Sequence, residues 1–357
     1  MKKKLLISTG GSGGHVIPGI CFYEHLKEYF DVFLTLDKRG LNFINLKEFN
    51  YKIIDTPHLS KNIFKLPINF LIFLLSILKS IIYIKKNQIE IVISTGGYMS
   101  LPICVAAKIL KCKVFLFEPN MVLGRSNLFL LKQCYKIFCY YNEVKNFPKK
   151  YIDKIELIYP LLKKEIYNVK KNEKLKFNGK INLLIVGGSQ GADFFQNNLK
   201  SNIVKLSEKF ELNVTHQTKS KNLESLKNFY KQNNIKVNFF DFEESFSKTI
   251  NKFNLCITRA GASSLAELSF LNIPFITIPF PKAKVNHQFY NALHYQKKNL
   301  CWMINQSEIN NDELFNLIMH IAQDNKDLES KIIQMQKFSY QNSWNNINKK
   351  LLSVLNK

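Results

Sequence analysis

At 357 residues the chain is longer than one ordinary core fills, and it predicts two domains of similar size. A hydrophobic share of 46% with 13% aromatic residues excludes a disordered chain. The 51 Lys and Arg against 27 Asp and Glu leave a net charge of +24, which favours an anionic partner, although no block interleaves basic with aromatic residues as a nucleic-acid platform would.

After Lys2-Lys3-Lys4 the apolar run is too short for a signal peptide and reads as a strand over 4–8, so a cytosolic chain is expected. The strand runs into GGSGGH, with Gly10, Gly11, Ser12, Gly13 and Gly14 leading to a helix from about His15. Glycine loses the most backbone entropy on folding, so this cluster needs a cause. One cause is a tight strand-to-helix turn. The other is an anion held by backbone N–H groups at a helix N-terminus.

Further strands are predicted over 32–36 and 52–54, followed by the apolar stretch IFKLPINFLIFLLSILKSIIYI at 63–84. Its polar positions 65, 69, 76, 79 and 80 form one narrow helical stripe, flanked by Lys61, Lys85 and Lys86. The apolar arc is wider than one core-facing side needs. A core helix, a membrane span opposed by Pro67, Asn69 and Lys79, and a helix seated in the lipid interface are the three readings.

Strands at 90–94 and 113–117 follow, and IEIVISTGGYMS at 89–100 repeats the strand-glycine device with Gly96 and Gly97. Apolar periodicity lapses over 160–180, where a domain boundary is expected. INLLIVGGSQGA at 181–192 then restarts the same pattern with Gly187, Gly188 and Gly191. Strands at 181–186, 212–215, 236–239, 254–258 and 275–278 complete the second half, and 331–357 reads as one or two terminal helices. Strands alternating with helices in both halves predict an α/β chain of two doubly wound parallel sheets, with ligands at the C-terminal strand edges.

Several chemistries fit poorly. A dinucleotide fingerprint fails, because the count from Gly11 reaches Gly13 and then Val16, and the 187–192 loop does not match either. There is no Asp-x-Asp pair for a divalent metal; Asp241-Phe242-Glu243 is the nearest approach. Seven scattered cysteines form no C-x-x-C pair, as expected of buried thiols in a reducing compartment.

Six stretches together resemble one family: GGSGGHVIPG (10–19), STGGYMSLP (94–102), FEPN (117–120), VGGSQGA (186–192), TRAGASSLAEL (258–268) and HQFYNA (287–292). In order and spacing, over nearly the whole chain, they are similar to glycosyltransferase family 28, the N-acetylglucosaminyltransferases that complete the lipid-linked disaccharide of peptidoglycan. The resemblance implies a GT-B fold, two doubly wound Rossmann-like domains facing a central cleft. It implies inverting transfer from UDP-N-acetylglucosamine to an undecaprenyl-pyrophosphate-linked muramoyl-pentapeptide, with no cofactor and no metal. An acceptor- and membrane-binding domain is expected over 1–160 and a UDP-sugar domain over 161–340, with a terminal helix over 341–357 packing back on the first. A peripheral place on the anionic cytoplasmic face of the bacterial membrane, beside cell-wall synthesis and division proteins, is also implied.

By motif, Ser12, Gly13, Gly14 and Asn120 correspond to donor- and substrate-contacting positions, as does Ser189. Ala262, Ser263, Ser264, Leu265, Ala266 and Glu267 correspond to the loop and helix start around the nucleotide, and Gln288 to a glutamine that meets the sugar. The glycines 11, 96, 97, 187, 188 and 191 are expected to line phosphate or lipid-pyrophosphate loops. A carboxylate such as Glu267 can accept from both hydroxyls of a ribose diol. His15 is the candidate base, with phosphate hydrogen bonding or helix capping as the alternatives. Glu118 is the other candidate, with orientation of a neighbour as its alternative.

The chain departs from the family in three places. Tyr159-Pro160-Leu161-Leu162 lacks the family's arginine, for which Lys163 or Lys164 is the expected substitute. Pro119 stands for a glutamine, and the 281–287 loop is one residue longer. Other readings on the same fold are a diacylglycerol-type lipid glycosyltransferase, a UDP-N-acetylglucosamine 2-epimerase and a nucleotide-sugar-binding recruitment subunit. The epimerase would need extra carboxylates that the sequence does not supply.

Overall fold

The structure, a computed structural model, describes residues 2–44, 49–56, 66–171, 177–218, 223–240, 252–309 and 312–357; the side chains of 189–192 and 284 are outside that description. Lys61 and the Asp241-Phe242-Glu243 triplet also lie outside it. The chain divides into two compact units, Met1–Lys164 with Ser343–Lys357, and Glu165–Asn342.

The first unit is built on β1 (Lys4–Ser8), β2 (Asp31–Leu36), β3 (Tyr51–Ile53), β4 (Ile91–Ser94), β5 (Lys113–Glu118), β6 (Lys136–Cys139) and β7 (Ile155–Leu157). Its helices are α1 (Gly13–Leu26), α2 (Leu66–Asn87), α3 (Leu101–Ile109) and α4 (Arg125–Leu130). The strands pair in the order β3-β2-β1-β4-β5-β6-β7, all parallel. Leu5, Leu6 and Ile7 are wholly buried, as a parallel strand covered on both faces requires. Phe22 of α1 meets Phe117 edge-on at 5.2 Å and, with Phe115 and Phe138, fills the space between helix and sheet.

The second unit carries β8 (Lys180–Val186), β9 (Glu211–Gln217), β10 (Lys236–Phe240), β11 (Leu255–Thr258), β12 (Phe275–Thr277) and β13 (Trp302–Met303). Its helices are α5 (Gly188–Asn198), α6 (Lys200–Ser207), α7 (Leu223–Gln232), α8 (Ala262–Phe270), α9 (His287–Lys297), α10 (Glu313–Gln323) and α11 (Asn325–Ser339). The order is β10-β9-β8-β11-β12-β13, again parallel throughout. The last helix, α12 (Trp344–Leu355), belongs to the first unit. There Trp344 stacks on His25 at 3.6 Å, and His25 Nδ1 lies 2.7 Å from Asn348 Oδ1.

The two strand orders place the loops that matter. In each sheet the direction of winding reverses beside the first strand, between β1 and β4 and between β8 and β11. The loops leaving those neighbours diverge to opposite faces and open a crevice at the C-terminal edge. Register sets Ser8 beside Ser94 and Val186 beside Thr258, so the glycine loops of each pair emerge side by side.

One helix inverts the usual rule for surface helices. Ser76 and Ser80 of α2 are buried, and Ser76 Oγ donates to the Asp55 and Ile72 carbonyls, both at 2.8 Å. Phe70, Leu71, Leu75, Leu78 and Ile82 stand exposed, Phe70 at 63% and Ile82 at 66%. The helix is long and apolar enough to cross a membrane by length and composition. Of the expected polar stripe, Ser76 and Ser80 turn inward and Asn69 is half-buried, whereas Lys79 is exposed and the wide apolar arc faces out.

Candidate active site

In the first unit the opening loop is shaped by its glycines. Gly10 and Gly11 have φ of +142° and +80°, and a Cβ on either would collide with Asp37 or Met99. Asp37, 3% exposed, accepts from the N–H of Gly11 at 2.7 Å and of Gly40 at 3.1 Å. Its other oxygen takes Arg39 Nε at 2.7 Å, and the Arg39 guanidinium lies over the Tyr98 ring. Ser12 caps α1 with extended backbone and makes no side-chain capping bond. Gly13 and Gly14 thus form a first turn whose N–H groups lack intrahelical acceptors.

His15 is held from two sides. Its Nδ1 lies 2.8 Å from the Thr95 carbonyl oxygen, which can only accept, so Nδ1 carries the proton and the neutral ring has its lone pair at Nε2. A Cβ on Gly96 would sit 3.4 Å from His15 Cε1, and one on Gly97 3.3 Å from Cδ2. Glycine at both positions, each with positive φ, lets the ring lie against the backbone. A hydroxyl chain braces this corner: Thr95 Oγ1 donates to Thr9 Oγ1 at 2.8 Å, and Thr9 Oγ1 to the His15 carbonyl at 2.7 Å.

Glu118 has a different part from the base considered above. It is 3% exposed and both its oxygens are taken. Oε1 accepts from Asn120 N (3.2 Å) and Nδ2 (2.9 Å); Oε2 accepts from Gly124 N (2.7 Å) and Asn127 Nδ2 (3.0 Å). Burial raises its pKa, and these four bonds oppose the rise. With both carboxylate oxygens engaged, Glu118 organises the loop that presents Asn120.

In the second unit Gly188 has φ of +64°, and a Cβ there would meet nothing within 4 Å. Backbone conformation, not crowding, demands this glycine. Its N–H donates to Gln217 Oε1 at 2.8 Å. Ser189 and Gly191 follow in the opening turn of α5, the Ser189 side chain being outside the described residues. Beside them Gly261 caps α8, and Ala262, Ser263 and Ser264 form its first turn. Glu267 is half-buried one turn further on.

Leu265 and Ala266 turn their side chains inward. Leu265 is wholly buried and Ala266 3% exposed, and the Leu265 N–H is spent on the Gly261 carbonyl at 3.1 Å. Both are core residues, because helical periodicity turns them inward. Gln288 opens α9 and accepts the Phe280 N–H at 3.0 Å, so its NH₂ is the group that can meet a sugar hydroxyl. Just before it, Val285 and Asn286 take φ of +50° and +55°, where the lengthened loop is absorbed. That conformation is strained for a β-branched residue.

At the family arginine's position the side chain turns inward, while Lys163 beside it is half-buried and Lys164 exposed. Leu162, at that position, is 1% exposed, and the Lys164 ammonium lies 5.5 Å from the Trp344 ring centre. Asp37, Arg39 and Asn127 support the site from outside the motifs, and Thr95, inside 94–102, does so without having been singled out. Among the described residues no three His, Cys, Asp or Glu side chains gather as a metal set.

Two family models match the chain: the glycosyltransferase family 28 N-terminal domain over residues 5–139 and the glycosyltransferase family 28 C-terminal domain over 182–347. A Pelagibacter ubique protein named UDP-N-acetylglucosamine–N-acetylmuramyl-(pentapeptide) pyrophosphoryl-undecaprenol N-acetylglucosamine transferase is 49% identical over 100% of this chain and 99% of its own length. A Rickettsia felis protein of the same name is 31% identical, covering 92% of this chain and 93% of itself. The crystal structure of Acinetobacter baumannii MurG has the same fold at a TM-score of 0.78 and 20% identity, over 99% of this chain and 100% of that one.

Proposed function

Since the chain belongs to glycosyltransferase family 28, we infer that it transfers N-acetylglucosamine from UDP-N-acetylglucosamine to N-acetylmuramyl-pentapeptide pyrophosphoryl-undecaprenol, lipid I to lipid II in peptidoglycan synthesis. The observation that carries this is the full-length identity to the Pelagibacter transferase.

In an inverting transfer the acceptor hydroxyl oxygen bonds to the anomeric carbon, and that carbon's bond to the β-phosphate oxygen breaks. UDP leaves with the electron pair, and the hydroxyl proton passes to a base. We assign that proton to His15 Nε2. Support comes from the Thr95 carbonyl, which fixes the tautomer with its lone pair at Nε2. A positioned base typically contributes about 10²–10⁴-fold. The departing diphosphate is assigned to the amides opening α5 and α8, the Gly188 and Gly261 ends, where helix dipoles favour negative charge. Gln288 is assigned to the sugar and Glu267 to the ribose.

The acceptor is a lipid, and α2 supports a peripheral seat for the first unit on the cytoplasmic face of the membrane. Its exposed Phe70, Leu78 and Ile82 would enter the interface while Lys79, Lys85 and Lys86, all exposed, meet anionic headgroups at about 1 kcal/mol each. Complementation tests the function in cells. Expression of this chain should sustain wall synthesis in a bacterium depleted of its own transferase, and the His15→Ala chain should not. Lysis with both would contradict the proposal.

A further inference from the structure

Arg259 lies outside every assignment made so far. It follows β11, with its backbone N–H on the Val186 carbonyl at 3.3 Å, between the two glycine-opened helices α5 and α8. The residue is 5% exposed. Nη1 donates to the carbonyls of Ile278 (3.0 Å) and Pro279 (3.3 Å), and Nη2 to Gln306 Oε1 at 2.9 Å. Aromatic rings surround the guanidinium: Phe194 at 4.7 Å, Phe195 at 4.8 Å and Phe280 at 5.4 Å.

All these partners are neutral. The buried Nε finds no acceptor among the described residues. Burial alone lowers the pKa of this group, to about 10, so it stays charged at neutral pH. An interior cation without a counter-ion is costly, and a well-packed apolar side chain would serve the core better. The carbonyl acceptors and aromatic faces offset part of that cost, and an arriving anion offsets more. The N-termini of α5 and α8 add positive ends at the same sheet edge. Arg259 therefore brings to that edge a positive charge that no carboxylate among the described residues is seen to pair with.

We propose that Arg259 is the buried counter-charge for the donor's diphosphate, a positioning residue that acts through its field and through the Ile278–Phe280 strap without touching the nucleotide. The strap gives the second half of the role, because the Phe280 N–H it carries holds Gln288 Oε1 at 3.0 Å. The charge selects a nucleoside diphosphate over the uncharged nucleoside. This rests on reading the second unit as the donor half.

The test is titration calorimetry of the full chain with UDP and, separately, with uridine. The unaltered protein should prefer UDP; equal affinity for both would contradict the donor reading itself. Arg259→Gln should weaken UDP about tenfold, the scale of one charge acting across a partly shielded gap, and change uridine by less than about twofold. Arg259→Lys keeps the charge and should hold UDP within about threefold of the unaltered protein. Should the glutamine variant fail to fold, the lysine variant decides alone: a retained UDP preference with lowered thermal stability supports the proposal. Equal loss of both ligands, unchanged UDP binding in Arg259→Gln, or a lost preference in Arg259→Lys overturns it.

Discussion

Glu118→Gln separates an organiser from a base. The substitution keeps the shape but turns one acceptor oxygen into an NH₂ group facing two donors. Whichever way the amide lies, it must oppose either the Asn120 pair or the Gly124 and Asn127 pair. Two charge-assisted bonds at about 1.5–3 kcal/mol each are lost, and relief of a buried charge returns part of that. A net loss of roughly 2–3 kcal/mol follows, or roughly 5–10 °C in the melting of a unit this size. The pH dependence gives a second reading. A carboxyl whose folded pKa is raised contributes stability that is full below its unfolded value and is lost as pH rises through the folded one. The gap between wild type and variant should therefore narrow as pH rises from 4.5 through that raised value, then stay flat. Thermal melting across pH, with transfer kinetics on the same samples, is the assay. An unchanged melting temperature with transfer reduced by about 10²–10⁴-fold would refute the organiser role and make Glu118 the base.

His15→Ala should lower kcat by about 10²–10⁴-fold while UDP affinity holds; an undiminished kcat would place the base elsewhere. Leu162→Arg forces a charge into a position 1% exposed and should destabilise the first unit by roughly 3 kcal/mol or more, with no gain in UDP affinity. Tighter UDP binding would show that the side chain escapes the core. Changing Phe70, Leu78 and Ile82 together to Ser should abolish binding to anionic vesicles and leave turnover of a soluble acceptor intact; loss of both would make these residues structural.

Much of the fold was legible because buried parallel strands leave short apolar runs, and each predicted run over 4–8, 32–36, 52–54, 90–94, 113–117, 181–186, 212–215, 236–239, 254–258 and 275–278 meets a strand. Lys136–Cys139, Ile155–Leu157 and Trp302–Met303 were not; Glu156 interrupts the second run and the third is two residues long. The glycine turns announced the site, as positive φ at Gly11, Gly96, Gly97 and Gly188 requires glycine. The supports did not announce themselves: Asp37 and Thr95 act from neighbouring strands, at separations that only the strand order reveals, and Asn127 reaches back nine residues to Glu118. The side of α2 that packs was equally hidden, because a stripe of serines reads as solvent-facing until Ser76 is seen bonded to the Asp55 carbonyl. Leu162 shows the converse, a family position whose substitute was sought nearby in sequence although the residue itself had joined the core.

The most direct measurement is transfer of radiolabelled N-acetylglucosamine from its UDP form to a short-chain prenyl-pyrophosphoryl muramoyl-pentapeptide by the purified chain. The expected product is a labelled disaccharide lipid formed one for one with UDP, and the reaction should be lost with His15→Ala. UDP release without labelled lipid, or transfer undiminished in that variant, would contradict the proposal.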